Sequence, residues 1–162
     1  MKKKSVVYLV QGGLIAAIYL ALTMVLEPIS YGYMQIRVSE AMCVLPFFTP
    51  AAIPGLFIGC AVANLLGSTF SIIDMIVGGL ATLIAAFLTY KIKNKWLAPL
   101  PAVLINAVTV GPMIGILSAV PVWLTMLSVF AGQAIACYGL GLPLLLSLQK
   151  YGKKLFLGGQ RQ

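Results

Sequence analysis

The chain has 162 residues, of which 61% are hydrophobic and 9% charged, and a net charge of +8. A water-soluble domain of this length cannot cover so much apolar surface with so few charges, so the composition excludes that class and points to an all-α integral membrane protein. At roughly 20 apolar residues per crossing, the length allows about five or six spans with short loops, and residues 1–162 read as a single membrane domain.

The first apolar run covers 6–26, behind Lys2, Lys3 and Lys4. It is too long for a signal-peptide core and no convincing cleavage site follows it, so it reads as a retained span. Gly13, Ala17 and Ala21 recur along it at four-residue spacing, a ridge that permits close helix contact. Gly55, Gly59 and Ala63 repeat this pattern, as do Gly111, Gly115 and Ala119. Next comes "YGYMQIRVSE" at 31–40, which sets Gln35, Arg37 and Glu40 beside hydrocarbon in a chain with only three acidic residues. The stretch 38–67 is apolar but interrupted by Pro46, Pro50 and Pro54, and proline breaks or kinks a helix. Clear runs follow at 72–90, 99–118 and 122–148.

Basic residues fix the parity. Lys91, Lys93 and Lys95 separate two runs, and Lys150, Lys153 and Lys154 follow the last, the cytoplasmic signature of basic clusters at span ends. This placement also argues against nucleic acid as the partner of the positive charge. If 38–67 were one span, "YKIKNK" would face outside. Two short crossings, 38–48 and 51–67, return it to the cytoplasm. The expected architecture is therefore a six-transmembrane-helix bundle with both termini cytoplasmic, in a plasma membrane. A helix over 38–48 would rise only about 16 Å against a hydrocarbon core of roughly 30 Å, so it must tilt, be shielded by its neighbours, or border a polar cavity. Tyr8, Tyr90, Trp96 and Tyr151 fall at inner span ends, and Tyr31, Tyr33 and Trp123 at outer ones.

In this topology the polar stretch is the outer loop leading into span two. Arg37 precedes Glu40 by three residues, which suits a local ion pair; alternatively one or both meet a polar ligand, since intramembrane ionisable groups are functional candidates. A mixed role, with Arg37 orienting Glu40 and Glu40 meeting substrate, is the expectation. Asn64 and Asp74 reach the same outer zone, while Asn106 and Gln133 lie nearer mid-membrane and serve equally well as interhelical hydrogen bonds. Asp74 also suits the N-terminus of its own helix. Glu27, before Pro28 at a span end, reads as solvated. Together with Tyr31, Tyr33, Trp123 and Gln35, these side chains supply a carboxylate, amides and aromatic faces, the set that a planar heterocycle rich in N–H donors requires.

Other chemistries lack their parts. There is no His, and Cys43, Cys60 and Cys137 form neither a CxxC nor a disulfide framework, so they read as small buried side chains; no metal and no cofactor is expected. No GxxxxGK[ST] loop is present to hold ATP phosphates, and no nucleophile–base pair is readable, so the chain is not expected to be an enzyme.

"YGYMQIRVSEAMCVLPFFTPAAIPGLFIGC", with "DMIVGGLATLIAAF" at 74–87 and "INAVTVGPMIG" at 105–115, resembles the queuosine-precursor transporter family, QueT, over about residues 10–148. Met42 and Cys43 depart from the family pattern without touching a polar position. The resemblance implies a fold of the energy-coupling-factor (ECF) S-component type, the substrate-binding subunit of an ABC-type importer. It implies capture of queuine, queuosine or preQ1, each a 7-deazaguanine. It also implies docking, through small residues such as Gly13, Ala17 and Ala21, on a module of the coupling protein EcfT and the ATPases EcfA and EcfA', with delivery by toppling in the bilayer. An S component for another vitamin-like heterocycle, or a self-sufficient proton-coupled transporter, are the alternatives.

Overall fold

A computed structural model describes residues 2–31 and 36–151. Among them the secondary structure is entirely helical: α1 (Lys2–Val25), the short α2 (Glu27–Ser30), a 3-10 helix (Val38–Phe47), α3 (Ala52–Gly67), α4 (Ser71–Lys91), α5 (Leu100–Leu117), α6 (Val122–Ala134), a π turn (Ile135–Gly141) and α7 (Leu142–Tyr151). The last three join into one continuous apolar run of 30 residues. With Ser5–Val25, Ser71–Lys91 and Leu100–Leu117, that makes four helices long and apolar enough to cross a membrane. Val38–Phe47 and Ala52–Gly67 are shorter apolar helices. Large hydrophobic residues such as Leu9, Ile84, Ile116 and Leu127 cover the outside of the bundle, the surface that a lipid environment covers without cost.

The second apolar segment differs from the short α-helix that its composition invites. It winds as a 3-10 helix for 10 residues, with Pro46 inside. At about 2.0 Å per residue it extends about 20 Å, more than an α-helix of equal length reaches. Of the three accommodations open to a short rod, shielding is the one observed. Ser39 through Pro46 are all buried, walled by α1, α4 and the π turn. The π turn makes one of these contacts especially close: a side chain at Gly141 would meet the backbone of Ala41 at 3.0 Å. Pro143, which has no N–H and crowds the preceding turn, follows immediately, and the wider π turn absorbs that irregularity.

The ends of the rods fall into two groups. At one end the turn after the 3-10 helix is tied to α1, with Thr49 donating to Gln11 Oε1 (3.2 Å) and the Tyr8 hydroxyl to the carbonyl of Pro50 (3.3 Å). Phe48 shares a buried cluster there with Ala98, Ala102 and Leu145. Lys91, Lys95 and Lys150 belong to this end, each ammonium lying over an aromatic ring, of Phe87, Trp96 and Tyr151 respectively. The opposite end gathers Tyr31, the α3–α4 connection and the α5–α6 connection.

Helix α1 buries one stripe and exposes another. Gly12, Ile15, Tyr19 and Thr23 face inward, and Ile15 and Tyr19 pack with Leu56, Cys60 and Ala63 of α3. The approach is close because α3 presents glycine: side chains at Gly55 and Gly59 would stand 2.7 Å from the carbonyl oxygen of Gly12 and 2.9 Å from that of Ala16. Gly13, Ala17 and Ala21 point away from the bundle and are exposed. The third small-residue ridge needs a correction. Gly111 and Gly115 pack against α6, but Ala119 lies beyond the end of α5, in the turn, at φ +53°. There the N–H of Val120 reaches back to the carbonyl of Gly115 (3.0 Å) and closes the helix with a left-handed residue. The three cysteines are buried thiols, as expected of small apolar side chains.

Candidate functional site

Two glycines shape the end of the bundle opposite the lysines. A side chain at Gly67 would meet the Tyr31 ring at 2.7 Å, so its absence seats that ring against the end of α3. The Tyr31 hydroxyl donates to the carbonyl of Ala63 (2.8 Å) and lies 3.3 Å from Asn64 Oδ1. Gly78 leaves comparable room for the Asn64 amide, whose Nδ2 donates to the carbonyl of Asp74 (2.9 Å). Asp74 stands in the first turn of α4, and the hydroxyl of Ser68 donates to its Oδ2. Tyr31, Asn64, Ser68 and Asp74 thus form one connected polar corner.

This corner borders a cavity of about 520 Å³. Tyr31, Ser68, Thr69, Phe70 and Asp74 line one side, and Ser118, Thr125 and Ser128, with apolar residues of α5 and α6, line the other. The volume falls in the range that accepts small organic ligands. The hydrogen of Thr125 is committed to the carbonyls of Gly111 (2.7 Å) and Val122 (2.9 Å), so its oxygen offers the cavity an acceptor. Among the described residues Asp74 is the one charged side chain in the lining, and aromatic faces come from Tyr31 and Phe70.

Glu40 and Arg37 are placed apart from that lining. Glu40 is buried in the 3-10 helix, and its Oε1 accepts a hydrogen bond of 2.6 Å from Tyr19. Beside it, Thr23 donates to the carbonyl of Tyr19 (2.8 Å) and shares a hydroxyl–hydroxyl hydrogen bond with Ser39 (2.7 Å). Arg37 is buried too; its Nε donates to the carbonyl of Ser30 at 3.4 Å and its guanidinium lies 4.8 Å from the centre of the Tyr31 ring. Burial works against its positive charge, yet Tyr19, Cys60, Tyr31 and Glu40 around it hold its pKa above the ordinary arginine value. Burial, partly opposed by Arg37, pushes the Tyr31 hydroxyl up to about 12, so it remains a donor to Ala63 at neutral pH.

The other candidates separate. Asn106 and Gln133 are buried within the bundle, where Gln133 Oε1 accepts from the Cys137 thiol (3.5 Å) one turn further along the same continuous helix. Trp123 is 64% exposed on the outside of α6 and does not line the cavity, which fits an interface anchor. Tyr33 and Gln35 lie outside the described residues. Among the described residues no group of three or more His, Cys, Asp or Glu side chains could hold a metal ion.

Several participants escaped the sequence reading. Tyr19 is the main one: an aromatic residue inside a span reads as apolar, although its four-residue offset from Ile15 and Thr23 marks the inward stripe. Ser68, Thr125 and Ser128 carry no motif, and only folding brings the α3–α4 connection against α6.

A family model described as "QueT transporter" matches residues 9–150. A curated relative, "Queuosine precursor transporter QueT" from Lactococcus lactis subsp. cremoris (strain MG1363), is 43% identical over 86 residues. That alignment covers 52% of this chain and spans 50% of the relative. No solved structure matches the chain.

Proposed function

This chain belongs to the QueT transporter family, and from that premise we propose that it is the membrane-embedded binding subunit for uptake of a queuosine precursor, a 7-deazaguanine such as queuine, queuosine or preQ1. The observation that carries the reading is the cavity bordered by Tyr31, Ser68, Asp74 and Ser128 at the end opposite the lysines. Basic residues at span ends mark the cytoplasmic side, so the cavity opens toward the exterior, where an imported compound arrives. A carboxylate, hydroxyl acceptors and aromatic walls suit a flat heterocycle that carries more N–H donors than acceptors.

In this account the chain crosses the membrane six times with both termini cytoplasmic. The 3-10 helix and α3 are the two short crossings, tolerated because protein rather than lipid surrounds the 3-10 backbone. Asp74 meets the ligand directly. Arg37 and Glu40, which interact electrostatically, brace the wall next to Tyr31. Uptake is driven from outside the chain, as in an ECF importer: a coupling protein docks on the exposed Gly13, Ala17 and Ala21 stripe, two ATPases supply the energy, and toppling carries the ligand across. The sequence offers no phosphate-binding loop that would do this work alone.

The test is a titration of the purified protein with queuine, queuosine and preQ1. Saturable binding of at least one compound, competed by the others, is expected. Binding of none of them overturns the substrate reading.

A further inference from the structure

The charges of this protein are divided between its two ends. All three acids, Glu27, Glu40 and Asp74, lie at the cavity end, and the lysines among the described residues sit at the other end or start α1. The one described cation near the cavity is Arg37, and it interacts electrostatically with both Glu40 and Asp74. Glu27 is exposed on the short α2, where water solvates it. One guanidinium therefore serves two buried carboxylates. Glu40 has a further partner in the Tyr19 hydroxyl and Asp74 in the hydroxyl of Ser68, but neither hydroxyl brings charge. A buried carboxylate without a full counter-charge is costly, and a ligand that brings a positive charge to it recovers that cost.

Resting on the reading above, we propose that the cavity selects a ligand carrying one positive charge, and that Asp74 receives its protonated amine. Among the described residues the cavity lining contains Asp74 and no basic side chain, so the field that an entering ligand meets there is negative. Ser68 holds Oδ2 of Asp74 and thereby sets the carboxylate plane, while a carboxylate retains acceptor capacity for additional N–H donors. The Asn64 amide fixes the same residue through its backbone carbonyl, at 2.9 Å. A neutral ring edge could also bond to Asp74, but it would leave the excess negative charge in place. An ammonium removes it.

The experiment compares two 7-deazaguanines that differ in charge at one arm, the 7-aminomethyl compound and the neutral 7-cyano compound, each titrated by calorimetry into wild-type protein. The account expects the aminomethyl compound to bind about tenfold more tightly or better, the range of a charge-assisted hydrogen bond. Asp74→Asn should abolish that preference by weakening the amine far more than the nitrile. Ser68→Ala, which keeps the charge and loosens its orientation, should lower amine affinity severalfold more than nitrile affinity; it carries the test if Asp74→Asn does not fold. Equal affinity for the two compounds in wild-type protein, or an equal loss of both in either folded variant, overturns the charge-selection proposal while leaving the binding function intact. Failure of both compounds and of queuine to bind removes the function on which the proposal rests.

Discussion

The Tyr19 hydroxyl donates a 2.6 Å hydrogen bond to Oε1 of Glu40, linking the buried stripe of α1 to the 3-10 helix. Both residues are nearly inaccessible. Tyr19→Phe keeps the ring and removes the donor, leaving a buried carboxylate short of one partner. It should lower stability by about 1.5–3 kcal/mol, as for a hydrogen bond to a charged group. Denaturant titration in detergent is the measurement, and an unchanged midpoint would show that the bond contributes nothing.

The two carboxylates should behave differently toward ligand. Asp74 lines the cavity, whereas Glu40 does not and already has Tyr19 on its Oε1. Glu40→Gln should therefore cost less binding affinity than Asp74→Asn and more stability. Ligand titration and thermal unfolding of the two purified variants separate these effects. The reverse order would return Glu40 to the role of principal ligand contact.

A methyl at Gly78 would stand 2.5 Å from Nδ2 of Asn64, which must then leave the carbonyl of Asp74. Gly78→Ala should cost about 1–3 kcal/mol, the usual scale of overpacking, and weaken ligand binding alongside. A stability measurement with a parallel titration reads both. Wild-type behaviour in both would mean that the corner is loosely built.

Ala119 closes α5 in the left-handed region, a place where glycine is preferred. Relief of its Cβ crowding in Ala119→Gly should raise stability by about 1 kcal/mol, even after the added freedom of the unfolded chain. Thermal unfolding of the variant checks this, with a lowered midpoint as the contrary result.

The outward stripe of α1 gives a different kind of prediction. Ala17→Leu and Ala21→Leu add bulk at positions exposed among the described residues, so folding and ligand binding should persist. Uptake into cells containing the full transporter should fall sharply, because close helix approach to a partner is blocked. Loss of binding along with uptake would place the stripe in internal packing instead.

The helical class and the four long apolar helices were legible in the sequence, since each rests on apolar length. The 3-10 winding of 38–47 was not: ten apolar residues with one proline carry no period that separates the two helix types, and the choice comes from surrounding rods. The same limit hid the cavity. Asp74 and Tyr31 stand out as polar or aromatic residues at span ends, but Ser68, Thr125 and Ser128 acquire meaning only where the α3–α4 connection meets α6. Ala17 and Gly13 looked like internal packing surface on spacing alone, and only burial distinguishes them from Gly12 and Ile15, one face over.

The chamber opposite the described lysines is proposed to receive the ligand from outside the cell. Ser128→Cys places a thiol in its lining, in a chain whose native cysteines are all buried. Intact cells expressing this variant are treated with a membrane-impermeant maleimide, with and without 7-aminomethyl-7-deazaguanine. Labelling from outside that the compound suppresses is expected. Labelling confined to inside-out vesicles, or labelling from outside that is indifferent to the compound, would contradict it.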